Sequence, residues 1–439
     1  MVKSQEIIGE RTSVPKKLDF STVLNGFKKT LKIHRYFIII FLIGFLLRVL
    51  FVLFPPSSMG RYRGDVKLYV KRSSAILEGE VPYRDFWESK PPFWSYSLAI
   101  WFKIIDQDPS QNGVRAFIFI FCMLDILIIY LIAKNLFSQR EAIIAALFFA
   151  INPLDIFCSM IIIRYDAVPL FFALLSFYFL EKGRWKLSAL ILGVGIMFKY
   201  ITALILVPYL IYLWKNSEKG NSNNNFLHYR VVFYFLIVGG FCFVVIFPFI
   251  LMAWNNYFSY TLDFIHDPKP RISIYGFIAH VYSYYYPGSN WIFELGKIAF
   301  LIVLILLLVV TKKILSKGKT FENITFVYLA FLWSAFYISV SISANPPYFE
   351  HLMPWLGILV ARYSTQIKIN KFFDKLLIAS WIIPGAIIFA YLCLWNHFYL
   401  YPKSVFYIVF AIGVLSLDIP LFYAFFKYYS ILDTLVQKR

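Results

Sequence analysis

Near-uncharged apolar runs recur along this chain from residue 36 to residue 426, most of them close to the about 20 residues a helix needs to cross a bilayer. Inside lipid every backbone N–H and C=O must be satisfied internally, so runs of this kind fold as helices. The candidate spans are 36–54, 116–134, 142–160, 167–181, 187–214, 231–252, 297–311, 324–341, 352–363, 376–395 and 404–426. Hydrophobic residues make up 60% of the 439 and charged ones 15%, and no long polar block separates the runs. The sequence therefore predicts an all-α polytopic integral membrane protein with one helical domain, 36–426, and about eleven to thirteen crossings. A basic tail, 1–35, precedes it and a short tail, 427–439, follows.

The formal charge of +19 raises the question of nucleic acid, but the basic residues gather at the ends of the apolar runs. Anionic lipid headgroups and the positive-inside rule account for that placement, and no nucleic-acid partner is expected. The connections at 134–140, 181–186, 215–230, 312–319 and 362–375 are basic. Those around 164–166, 255–294, 345–355 and 396–402 are aromatic and proline-rich. Basic loops and both tails go to the cytoplasm and aromatic loops outside. The first 35 residues lack a small-residue cleavage pattern, so they read as a cytoplasmic tail rather than a secretory signal. Cys122, Cys158, Cys242 and Cys393 lie in apolar stretches without ligand spacing, and packing is their expected role.

Two segments resist simple assignment. Residues 93–105 are too short to cross, and either stay at the outer surface or dip in and return. The run 187–214 has lysines at both ends, Lys186 and Lys215, and another, Lys199, inside. A broken pair of half-helices with Lys199 near its tip reconciles these features, as does a straight helix with a snorkelling lysine.

Behind the first span, in an outer loop at 55–92, lies a polar island running from Gly60 to Asp65 and from Tyr83 through Arg84, Asp85 and Glu88 to Lys90-Pro91-Pro92. Asp65 precedes Tyr69 by one helical turn, and the double proline excludes helix through Glu88. The bland reading is a solvated loop. Charges at membrane depth are costly, however, about 2.5–3.5 kcal/mol each on insertion scales, and need protein, water or an anionic headgroup to face. Arg48, Lys90, Arg164 and Lys199 are such cations, with Arg164 and Asp166 an obvious candidate ion pair. The outer segment 253–295 carries many aromatics, suited either to sugar faces or to an interfacial belt.

Asp65, Tyr69, Glu78-Gly79, Pro82 to Phe86 and Glu88-Ser89-Lys90-Pro91-Pro92 together resemble the first outer loop of GT-C glycosyltransferases, closest to the protein-mannosyltransferase and aminoarabinose-transferase branch. Asn152-Pro153 before Arg164-Tyr165-Asp166, the run to Lys199 and Pro208, and Asn345 to His351 are similar to later landmarks of that family. The resemblance covers about residues 36–360, with short motifs. It implies a donor that is a sugar on a polyprenyl phosphate, a mannose-like hexose or related monosaccharide. The acceptor hydroxyl belongs to a protein, a glycan or a lipid.

Such a transfer needs a base for the acceptor proton, for which Asp65 is the candidate, and cations for the departing phosphate. Arg48, Lys90, Arg164, Lys199 and His351 are the candidate phosphate ligands. Glu88 has three readings: second carboxylate, partner of Asp65 on a divalent cation, or support for Lys90. Tyr69, Tyr83, Arg84, Asp85 and Asp166 complete the expected substrate site. No cofactor is expected; the family has metal-dependent and metal-independent branches, and the lack of a dense acidic cluster points to the latter, with a divalent cation as the alternative. A transporter or flippase of lipid-linked sugars is the rival reading, and a partner subunit a third. The expected location is a prokaryotic plasma membrane.

Overall fold

The computed structural model describes residues 20–54, 64–218, 224–266, 291–317, 323–340 and 350–366. The expected spans 376–395 and 404–426, the C-terminal tail, the loop beyond His266 and residues 1–19 lie outside the described residues. All regular elements among the described residues are helices: α1 (Phe20–Leu53), α2 (Gly64–Leu77), α3 (Phe93–Ile104), α4 (Gln111–Leu136), α5 (Gln139–Ala150), α6 (Pro153–Ile156), α7 (Ala167–Glu181), α8 (Trp185–Phe198), α9 (Leu206–Glu218), α10 (Asn224–His266), α11 (Trp291–Lys317), α12 (Asn323–Val340) and α13 (Met353–Gln366). A π turn, Phe157–Ile161, follows α6, and a 3-10 turn, Tyr200–Ile205, precedes α9.

Stretches within α1, α4 and α10 are long and apolar enough to cross a bilayer: His34–Leu53, Gln111–Leu136 and Tyr229–Thr261. Large apolar side chains stand exposed along α1 (Ile39, Leu42, Leu46, Leu50), α10 (Phe235, Val244, Leu251) and α11 (Leu301, Ile305, Val309). Continuous apolar faces of this kind are what lipid covers, and the chain is an integral membrane protein.

Inside, α7 packs along α8 and α4, while α5 packs against α4, α13 and α1. The α5 face carries Ala142, Ala145, Ala146 and Ala150, all buried, and small side chains let helix backbones approach closely. Gly44 of α1 lies at this junction: a Cβ there would stand 2.8 Å from Ile126 Cδ1 and 3.2 Å from Ala150 Cβ. Polar side chains add cross-links between helices. Ser176 Oγ donates to Ser188 O at 2.8 Å, and the Ser188 hydroxyl meets Tyr234 OH at 3.0 Å, tying α7, α8 and α10.

The structure revises several sequence-based boundaries. The run 142–160 is not one helix: α5 stops before Asn152-Pro153, whose proline lacks the N–H that continuation needs, and the chain turns through α6 and the π turn. The run 187–214 is broken at Lys199, whose backbone is extended (φ −158°, ψ 123°). That is the broken-helix alternative, not the straight helix. α10 continues to His266, so Trp254, Tyr257 and Tyr260, expected on a loop, stand on a helix that kinks at Ala253. α1 begins at Phe20, within the segment read as a tail.

Within the segment 55–92, Gly64–Leu77 form α2, which packs on the short α3. Gly79 ends α2 at φ 91°, a conformation that L side chains resist, while its N–H and that of Glu80 close back on Ile76 and Ala75.

Candidate active site

Asp65 occupies the first turn of α2, with Tyr69 and Arg72 following at helical spacing on the same face. Tyr69 is buried edge-on against Trp94 and Tyr165, with ring centroids 5.2 and 5.5 Å away. Arg72 Nη1 reaches Glu88 Oε1 at 2.9 Å, and its guanidinium lies 5.0 Å from the Trp87 ring centre.

Glu88 is fully buried. Its Oε1 also accepts from the Lys90 backbone N–H at 3.0 Å, and its Oε2 accepts from Ser95 Oγ at 2.7 Å. Burial pushes its carboxyl upward from the ordinary range, while Arg72, Ser95 and the Lys90 amide pull the other way. A carboxylate held this fully organises the loop around it.

The same loop is clamped through Tyr83. Its φ of 68° is unusual for a side chain of this size. The Tyr83 hydroxyl donates to the Lys90 carbonyl at 2.5 Å, and its own carbonyl accepts from Asn256 Nδ2 at 3.0 Å. Tyr83 also packs edge-on to Phe249 and Tyr257 of α10. Lys90 is thereby fixed at both its N–H and its C=O. Burial lowers the Lys90 ammonium pKa well below the usual lysine range, and the charge of Lys199 lowers it further against the opposing pull of Glu88 and Asp166.

The second wall is the short connection before α7. Ile163 is buried at φ 56°, an outlier for a β-branched residue, and the Arg164 N–H bonds to Cys158 O at 2.8 Å. The Arg164 guanidinium forms an ion pair with Asp65. Tyr165 stacks on Trp94 at 4.2 Å, and Asp166 turns inward to an ion pair with Lys199. Lys199 Nζ also lies 5.3 Å from the Tyr165 ring centre. His351 Nε2 stands 3.7 Å from Asp166 Oδ1, outside direct hydrogen-bond range but within reach of its charge. Glu350, fully buried, has no hydrogen-bond partner for either carboxyl oxygen among the described residues.

Asp65, Arg164, Asp166, Lys199 and His351 thus form one connected chain of ionisable groups, and Lys90 and Glu88 adjoin it through Lys199 and Arg72. Tyr69 is their packed support rather than an open group. Arg48 is engaged elsewhere: it pairs with Asp155, and its Nη1 donates to Ala150 O at 2.8 Å and Gly44 O at 3.1 Å, both residues fully buried. Arg84 and Asp85 pair with each other at the exposed rim. Asp85 also accepts from the Val81 N–H at 2.8 Å, and Arg84 and that amide hold its carboxyl below the ordinary value.

Sequence reasoning missed Arg72, whose signal was its place on the Asp65 and Tyr69 face, and Asp155, which no local pattern linked to Arg48. For a divalent cation, the carboxylates of Asp65 and Glu88 are each engaged by an arginine, and no cluster of three or more His, Cys, Asp or Glu side chains suited to a metal occurs among the described residues.

Residues 89–248 match the family model described as dolichyl-phosphate-mannose-protein mannosyltransferase. GPI mannosyltransferase 1 of Dictyostelium discoideum is 24% identical over 265 residues, covering 54% of this chain and 58% of the relative. GPI mannosyltransferase 1 of Saccharomyces cerevisiae is 26% identical over 185 residues, covering 40% and 44%. The chain thus spans about half the length of these curated relatives. The fold is similar to that of ArnT from Cupriavidus metallidurans in the crystal structure with undecaprenyl phosphate, at TM-score 0.50 and 14% identity, with 88% of this chain and 76% of ArnT covered. The matched segment runs from Ser89 and Lys90 through the broken helix at Lys199, and in this segment and in its fold the chain is similar to membrane glycosyltransferases of the GT-C type.

Proposed function

We propose that the chain transfers a monosaccharide, a mannose-like hexose, from a polyprenyl-phosphate carrier to an acceptor hydroxyl at the outer face of the membrane, with inversion at C1. The observation that carries this reading is the pairing of Asp65, a carboxylate 46% exposed, with a group of cations behind it. Glu88 and Asp166 are closed into the protein, so Asp65 is the acid placed to meet an acceptor.

In the proposed step the acceptor oxygen attacks C1 of the sugar, and its proton passes to Asp65. The C1–O bond to phosphate breaks, and the electron pair leaves on the phosphate oxygen. Lys90, Lys199 and Arg164 offset the charge that develops there, in a site where burial strengthens each interaction. Glu88 and Arg72 hold Lys90 in place. Arg48 braces α1 against α5 and takes no part in the chemistry. The relatives named for mannose transfer and the ArnT structure holding undecaprenyl phosphate support the choice of donor class. The basic loops support a cytoplasmic N-terminus.

Membranes containing the full chain, supplied with a radiolabelled polyprenyl-phosphate mannose and an extract of acceptor glycans and proteins, test the reading. A labelled product with a new glycosidic linkage is expected. Movement of labelled lipid between leaflets without any new linkage would assign the chain to transport instead.

A further inference from the structure

Inside the exposed rim pair of Arg84 and Asp85, four ion pairs lie in this site or brace it, and they differ in what reaches them. The side chains of Arg48 and Asp155 are both fully buried, those of Arg72 and Glu88 are 6% and 0% exposed, and those of Lys199 and Asp166 are 10% and 1% exposed. Arg164 and Asp65 are 23% and 46% exposed. Solvent and an incoming ligand reach this pair, and an exposed pair is held weakly.

The stem of Arg164 is fixed by its N–H bond to Cys158, by Tyr165 stacked on Trp94, and by buried Asp166 two residues on. Its guanidinium can therefore swing without the loop moving. The charge of Lys199, although paired with Asp166, also acts against that of Arg164, so an anion placed between the two cations is drawn by both. A planar guanidinium forms bidentate bonds with phosphate as readily as with carboxylate.

Resting on the donor reading given above, we propose that Arg164 is a donor-operated latch: in the empty site it covers Asp65, and the phosphate of the lipid-linked donor draws it away, uncovering the base only once donor is bound. A carboxylate oxygen engaged by a guanidinium is not open to a hydroxyl proton. Donor then binds before acceptor, and the base is exposed only when there is a C1 to be attacked.

Binding of undecaprenyl phosphate to the full chain in nanodiscs tests the latch. In Asp65→Asn the latch has no carboxylate to leave, and affinity is expected to rise about twofold to fivefold, the scale of a half-exposed ion pair. Arg164→Gln should bind more weakly than wild type. The decisive variant is the double one: it should bind as Arg164→Gln does, because the gain from Asp65→Asn exists only through Arg164. A gain that persists in the Arg164→Gln background would reflect charge removal alone and would overturn the latch, as would no gain at all. If the wild type itself fails to bind the lipid phosphate, the donor reading falls and the latch with it. Thermal unfolding of each variant shows whether lost binding is lost fold, and a rise in affinity has no such explanation.

Discussion

Glu88 is the residue whose surroundings say most about its task. An ionised carboxylate with all its close partners inside the protein is expensive to bury and more expensive to leave unpaired. Arg72→Met should therefore lower stability by about 3 kcal/mol, as removal of one partner of a buried pair does. Glu88→Gln in the same chain should restore part of that loss, because it removes the stranded charge. Thermal unfolding in detergent reads both.

Lys90 gives the pH dependence of the proposed site. Its ammonium pKa lies well below the ordinary lysine range in the free protein, and a bound phosphate would raise it. Affinity for a polyprenyl phosphate should be full while Lys90 is protonated and fall as pH rises through the lowered value, on the alkaline side but short of about 10.4. In Lys90→Arg, whose charge persists, that alkaline decline should flatten in a titration of binding against pH.

Among the elements, α1 and the turn after α2 are held by different physics. α1 is tied to α5 and α6 through the guanidinium of Arg48, which serves Asp155 and backbone carbonyls at once. Arg48→Met leaves Asp155 charged and alone in the core, at a cost of about 3–5 kcal/mol, and should sharply reduce the yield of folded protein in membranes. The turn after α2 has no neighbour within 4 Å of a Cβ at Gly79, so the cost of Gly79→Ala comes from its φ of 91° alone. Loss of about 1 kcal/mol is expected, with Glu88 and Lys90 displaced and turnover lowered in step.

Helix existence followed from hydropathy because bilayer thickness dictates run length; α7 begins and ends where its apolar run does. Breaks were harder to place. Lys199 inside an apolar run left a broken and a straight helix equally open, and its partner Asp166 lies 33 residues away, a tertiary fact that no window along the sequence contains. The extension of α10 through Trp254 and Tyr257 was hidden by an aromatic composition that also suits an interfacial loop. Within the candidate site, the short motifs named Asp65, Glu88, Lys90 and Arg164, which the structure brings near one another. They did not separate Arg48 from the proposed phosphate ligands, since an arginine in an apolar span reads alike whether it faces a ligand or a buried aspartate.

At the scale of the whole molecule, two walls distant in sequence converge: the loop of α2 and Lys90, docked on α10 through Tyr83, and the Arg164 to Asp166 connection, held from below by Lys199 and His351. The π turn and the left-handed Ile163 store strain beside Arg164, and the packing of Tyr165 on Trp94 keeps the connection in that conformation. The fold thus sets half-exposed Asp65 beside Arg164 and groups Lys90 and Lys199 with buried Glu88 and Asp166. Single-turnover transfer from a polyprenyl-phosphate sugar by Asp65→Asn, with the amount of folded protein matched to wild type, measures the central claim most directly. A fall in the rate of about a hundredfold or more, with donor still bound, is expected of a lost general base; full turnover by that variant would contradict it.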